Sequence, residues 1–169
     1  MLDLGTGSGC IAIALAHRQK DAAVTAVDLS PAALAVARRN AEKHRVADRI
    51  QFLEGDLFVP VPPGETFDFI VSNPPYIRTA VIGELAAEVR DHDPRLALDG
   101  GPDGFAVIDR LIAGATDRLA DGGHLLFEIG FDQEADARTR LERHGGYESP
   151  RTVHDLAEHP RVLVARRKS

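Results

Sequence analysis

Residues 1–10 read Met1-Leu2-Asp3-Leu4-Gly5-Thr6-Gly7-Ser8-Gly9-Cys10 and are followed by Ile11, Ile13 and Leu15. The first four residues read as the end of a β-strand, and the apolar residues after Gly9 as the start of a helix. Between them, three alternating glycines let the backbone turn sharply and approach a ligand with no Cβ in the way. Strand, glycine turn and helix in that order open an α/β sheet. A tight structural turn accounts for the glycines equally well, so the reading depends on the rest of the chain.

Working outward, short apolar runs recur at 24–27, 50–53, 67–71, 124–129, 149–153 and 162–165, which with residues 1–4 make seven candidate strands. Ser30-Pro31 is an N-cap with proline at the first helical position, and it starts a helix carrying Leu34, Ala37 and Ala41 on one face. Phe105, Ile108, Ile112, Ala115 and Leu119 mark a second amphipathic helix. Residues 155–160 are too few for a crossover helix, so the last two strands are expected to be antiparallel neighbours. The expected fold is α/β: a doubly wound, seven-stranded, mostly parallel sheet with an antiparallel last strand. Residues 77–101 have weak periodicity and read as an active-site loop with one short helix around 82–89.

With 169 residues, 44% hydrophobic and 27% charged, the chain is expected to form one domain over 1–169. Its net charge of −6 disfavours non-specific grip on phosphate backbones, so no stable nucleic-acid binding is expected. Cys10 is the only cysteine, which excludes an internal disulfide, and it reads as a small buried packing residue. No secretory pattern or long apolar span is visible, so a cytoplasmic enzyme with no membrane partner is expected. The seven histidines are scattered, and His154 with His159 lacks further zinc ligands, so no metal site is expected. Arg166-Arg167-Lys168 reads as a solvated basic end. Met1 stands directly before a motif that normally follows a complete strand, so the chain is expected to lack the start of that strand.

Asp28 ends the second run, where a carboxylate can accept hydrogen bonds from the ribose hydroxyls of an adenosine. Asp56, in Glu54-Gly55-Asp56-Leu57, follows the third and can accept from an adenine amine. Three strand ends in register with suitable groups favour a nucleoside-type site. A dinucleotide fingerprint needs glycine at the sixth position from Gly5, and that position is Cys10. The motif resembles instead the first motif of class I S-adenosylmethionine-dependent methyltransferases. That resemblance implies S-adenosylmethionine as cofactor, with S-adenosylhomocysteine as product. Gly5, Thr6, Gly7, Ser8 and Gly9 would line its methionine and ribose, Asp28 would bind the ribose, and Asp56 with Leu57 would border the adenine.

Ser72-Asn73-Pro74-Pro75-Tyr76 follows the fourth run, at the edge where the cofactor methyl should point. A planar amide nitrogen is a poor nucleophile because its lone pair is delocalised, so both its hydrogens need acceptors. Asn73 offers a side-chain carbonyl, and Pro74 offers a backbone carbonyl beside a ring that fixes φ. Tyr76 can lay its ring against the amide for in-line attack. Asn73, Pro74 and Tyr76 are therefore the candidate catalytic residues, Asn73 also facing the cofactor, and Pro75 joins them in substrate binding. By itself the segment also reads as a strand end with a turn cap. The tetrapeptide equally resembles that of enzymes methylating the adenine amino group in RNA or DNA, and a non-catalytic nucleoside-binding module is a third reading.

The loop that follows separates these. Glu88-Val89, Asp93-Pro94, Ala97-Leu98, Gly100-Gly101 and Asp103-Gly104 resemble the release-factor glutamine methyltransferase family, and Glu128-Ile129-Gly130, Gln133, Asp155-Leu156-Ala157 and Arg161-Val162 continue the likeness. That resemblance implies a protein substrate, the glutamine of the Gly-Gly-Gln loop in class-1 peptide-chain release factors. It also implies that an N-terminal helical substrate-binding domain is missing. Leu57 stands where some members carry an aromatic residue.

Overall fold

A computed structural model describes residues 1–90 and 94–169, so Asp93 of the loop likeness lies outside the described residues, as does the side chain of Val89. Seven strands form one sheet: β1 (Leu2–Leu4), β2 (Val24–Asp28), β3 (Ile50–Glu54), β4 (Phe67–Ser72), β5 (Leu119–Glu128), β6 (Arg151–His154) and β7 (Pro160–Arg166). Their order is β3-β2-β1-β4-β5-β7-β6, and only β7 runs antiparallel to its neighbours. The expected fold class is therefore the observed one. The chain winds outward from β1 through β2 to β3, then returns to place β4 on the other side of β1. In doubly wound sheets such a reversal of strand order is where a ligand crevice forms at the carboxyl edge, between the loops that follow β1 and β4.

Alternate residues of the strands feed two cores, because successive side chains point to opposite faces. Val24 and Ala26 pack with Ala12, Ile13 and Ala16 of α1 (Cys10–Arg18) and with Leu34, Ala37 and Ala41 of α2 (Pro31–Lys43). Leu2, Leu4, Val27 and Ile70 belong to the other core. There they meet Ile108 and Leu111 of α5 (Ala106–Ala115) and Leu141 of α6 (Glu134–His144). Ser30 caps α2 as expected, its Oγ accepting from the Ala33 N–H at 3.2 Å. Among the described residues no helix is long and apolar enough to cross a membrane.

Three expectations are corrected. Leu119 does not continue α5: the helix ends at Ala115, and Leu119 pairs with Phe67 as the first residue of β5. It shares the core with Ile108 and Ile112, so the apolar spacing carries across a turn into the next strand. Cys10 is exposed, because α1 buries Ala12, Ile13 and Ala16 and turns its first residue outward. Residues 77–101 hold more structure than one short helix: a 3-10 helix Thr79–Glu84, then α3 (Ala87–Arg90) and α4 (Arg95–Leu98). The loop closes on itself. Ile77 N–H donates to the Leu98 carbonyl at 3.0 Å, Gly100 N–H to the Ile77 carbonyl at 2.8 Å, and Thr79 Oγ1 to Asp99 Oδ1 at 2.6 Å.

Candidate functional site

The ends of β1, β2 and β4 are locked in register before any ligand is considered. Gly5 and Thr6 N–H both donate to the Val27 carbonyl, at 2.9 and 3.0 Å, and Ser72 Oγ donates to the Leu4 carbonyl at 2.7 Å. Gly5, Gly7 and Gly9 have φ of 71°, 56° and 86°, the left-handed region that only glycine enters without strain. A Cβ built on Gly7 would meet nothing within 4 Å, and one on Gly5 only the Asn73 carbonyl oxygen at 4.0 Å. The loop thus presents open backbone on the side facing the β4 end. On Gly9 the same atom would strike Ala37 and Ile13 at 3.1 Å, so that glycine serves packing of α1 on α2.

Asp28 stands beside this loop. Its Oδ2 accepts from Gly7 N–H and its Oδ1 from Ser30 N–H, both at 2.8 Å. Each carboxylate oxygen retains a second lone pair, so a vicinal diol can still be bound. Thr6 turns inward and its hydroxyl donates to Asp3, leaving only its backbone for a ligand. Ser8 is exposed; its carbonyl accepts from Asn40 at 2.9 Å. Asp56 is half-exposed, and Arg110 of α5 holds its Oδ2 at 2.7 Å, a pairing not foreseen from the sequence. Leu57 has a φ of 47° and packs against the larger core. Open glycine backbone, a carboxylate with free lone pairs and a second carboxylate at the next strand end fit an adenosine-type cofactor.

Behind the loop lies Asp3, fully buried. Its Oδ2 accepts from Thr6 Oγ1 at 2.7 Å and from Ala12 N–H at 3.0 Å, while Oδ1 is buried with no partner among the described residues. Burial raises its pKa from 3.8 to about 6, against the pull of those two hydrogen bonds, and the Asp28 charge adds to the rise. The folded chain therefore holds this proton more tightly than the unfolded chain. The stability Asp3 contributes is fully present below about pH 4 and is lost as pH rises through about 6. The span corresponds to roughly 3 kcal/mol. Asp3→Asn is expected to remove this part of the pH dependence. Urea denaturation across that range checks it, and an unaltered slope in the variant would exclude Asp3 as the source.

Across the crevice, Asn73 is exposed and Pro74 buried, with Pro75 and Tyr76 between. Among the described residues, neither the Asn73 side-chain amide nor the Pro74 carbonyl has a hydrogen-bond partner. Two acceptors at one strand end are thus left for a ligand. Tyr76 is held instead: its hydroxyl donates to Glu128 Oε1 at 3.0 Å, at the end of β5. Burial, then the Glu128 carboxylate, push the Tyr76 phenol up, so it stays a donor. Arg161 lies near both, its guanidinium fixed by Asp155 at 3.1 Å. The Tyr76 carbonyl accepts from Gln133 Nε2 at 3.0 Å. Glu128, Gln133 and Arg161 carried no role in the sequence reading, and their only signal there was their place in the family likeness.

The family profile described as methyltransferase small domain matches residues 1–92. A release factor glutamine methyltransferase of Rhodopirellula baltica is 44% identical over 163 residues, 96% of this chain and 55% of that protein. One of Moorella thermoacetica is 45% identical over 166 residues, 98% of this chain and 58% of that protein. The chain thus spans a little over half the length of these relatives. A crystal structure of a methyltransferase from Pyrococcus furiosus superposes with a TM-score of 0.73 at 20% identity, covering 99% of this chain and 74% of that one.

Proposed function

Because the chain belongs to the methyltransferase small domain family, we propose that it transfers a methyl group from S-adenosylmethionine to the side-chain amide nitrogen of a protein glutamine. The proposed substrate is the Gly-Gly-Gln loop of a class-1 peptide-chain release factor, in the cytoplasm where such factors act. The observation that carries this reading is the pair of unpartnered acceptors, the Asn73 side-chain carbonyl and the Pro74 carbonyl, beside open glycine backbone and Asp28. The named relatives support the choice of glutamine.

The cofactor supplies an electrophilic methyl on a sulfonium. Gly5 and Gly7 would let it approach the backbone, Asp28 would accept from its ribose, and Asp56, steadied by Arg110, would accept from its adenine amine. Asn73 accepts one hydrogen of the glutamine amide and the Pro74 carbonyl accepts the other, which fixes the plane of the nitrogen. Pro75 stiffens the turn, and the Tyr76 ring packs against the amide face. These contacts compensate for a delocalised lone pair by orientation and by stabilising the positive charge that develops on nitrogen. The methylated nitrogen then becomes acidic and loses its extra proton, so no strong base is required.

The test is to incubate the chain with methyl-labelled S-adenosylmethionine and either a release factor or an adenine-containing RNA. Label on the release-factor glutamine is expected; label on the RNA alone, or on neither, would overturn the proposal. Tyr76→Ala should be the milder lesion at this site, about 10- to 100-fold in kcat, because it removes packing and orientation but no acceptor. A loss as large as that of Asn73→Ala would show that the ring does more than orient.

A further inference from the structure

Gln133 is 3% exposed, a long polar side chain in a place that its helix does not explain. It is the residue before α6, yet its side chain makes no capping bond there, and glutamine is not among the favoured caps. Its backbone serves the helix, since Ala137 N–H donates to its carbonyl at 3.0 Å. Its side chain serves three other segments. Oε1 accepts from Gly130 N–H at 2.8 Å, and Nε2 donates to the Tyr76 carbonyl at 3.0 Å and more weakly to the Gly104 carbonyl at 3.5 Å.

The surrounding glycines make room for this amide. A Cβ on Gly104 would lie 2.6 Å from Gln133 Nε2 and would also strike the Tyr76 carbonyl oxygen. A Cβ on Gly130 would lie 3.1 Å from Gln133 Oε1, and one on Gly100 would sit 2.8 Å from Tyr76 Cα. Gln133, Gly104 and Gly100 thus converge on the Tyr76 peptide, and Gly130 holds the Gln133 amide from behind. The segment they hold has little freedom of its own. It is tied at one end by the Ser72 hydroxyl on Leu4, and Pro74 and Pro75 both have φ fixed by their rings. Holding the Tyr76 carbonyl therefore sets where the Pro74 carbonyl and the Tyr76 ring face.

We propose that Gln133 is a positioning residue for methyl transfer, its Nε2–H···O bond to the Tyr76 carbonyl fixing the acceptor geometry of residues 73–76. The proposal rests on the glutamine-methyltransferase reading, and it predicts a kinetic lesion with the cofactor site left intact.

Gln133→Glu has the same shape, keeps the acceptor for Gly130 and replaces the donor by oxygen. Ionised, the new carboxyl faces two carbonyl oxygens; protonated, it can donate again, and burial raises the pKa of such a group. At about pH 8.5 the variant is expected to lose roughly 10- to 100-fold in kcat relative to the parent, recovering to within about threefold near pH 6. Its affinity for S-adenosylhomocysteine should match the parent's at both pH values. Gly104→Ala, which wedges the same contact with Gln133 intact, should lose kcat at both pH values. A kcat ratio independent of pH in Gln133→Glu, or cofactor affinity falling in step with turnover, would overturn the proposal. If Gln133→Glu does not fold, Gly104→Ala decides by the same split between kcat and cofactor affinity. If the parent labels no release factor, the function reading fails, and the clamp is then judged by hydrogen exchange. Faster exchange at the Ile77 and Gly100 amides of Gln133→Glu at high pH, with Leu125 unchanged, would uphold the clamp, and equal exchange would overturn it.

Discussion

Asn73→Ala is expected to reduce methyl transfer by about 100- to 1,000-fold, the range for removing one fixed polar contact to a developing charge. Binding of S-adenosylhomocysteine should stay within about twofold of the parent, because in the proposed mechanism the lost carbonyl acts mainly on the amide nucleophile. Folding should be unaffected as well. Asn73 is exposed and its side-chain amide has no partner among the described residues, so truncation orphans no buried group. The decisive measurement is a single-turnover assay with a saturating release factor, alongside cofactor calorimetry. Near-parental turnover would remove Asn73 from the chemistry and with it the two-acceptor mechanism.

Asp28→Ala should do the reverse, striking the cofactor first. Two backbone N–H groups, those of Gly7 and Ser30, lose their acceptor at the same time as the ribose does. Hydrogen bonds to a charged group contribute about 1.5–3 kcal/mol, so the dissociation constant for S-adenosylhomocysteine should rise by about 10- to 150-fold. A cofactor analogue without ribose hydroxyls separates the two effects. If the ribose contact dominates, the parent binds that analogue about as weakly as the variant binds the natural product. Unchanged affinity in Asp28→Ala would exclude Asp28 from the site.

What could be read from the sequence was local or periodic. The glycine turn, the Ser30-Pro31 helix start and the seven apolar runs each carry their own signal, and together they limited the sheet to a doubly wound order with one antiparallel strand. The boundary of α5 was not legible, because Leu119 keeps the helical spacing while belonging to a strand in the same core. Nor was the exposure of Cys10, since the outward face of α1 is chosen by α2 and β2, which pack on the other side. The loop over 77–101 carries weak periodicity because its order comes from hydrogen bonds between its two ends, not from a repeating apolar face. Arg110 on Asp56 and Gln133 on Tyr76 join residues more than fifty positions apart. A single sequence has no means of displaying such a pair.

The reversal of strand order between β1 and β4 has a consequence for how such a protein can change over generations. In the proposed function, the β1 loop, Asp28 and Asp56 on one side of that seam would hold the nucleoside, and the β4 end with the closed loop, Glu128 and Gln133 on the other would hold the acceptor. The two sets of residues meet across a crevice and share few side chains. Substitutions on the acceptor side can therefore accumulate, retuning which planar nitrogen is presented, while the inherited grip on the methyl donor is left alone. Arg110 reaches from α5 to Asp56 on the nucleoside side. Variation at Arg110 should consequently be constrained by its pairing with Asp56, whereas Phe131 and Leu156, both exposed, carry no such pairing among the described residues.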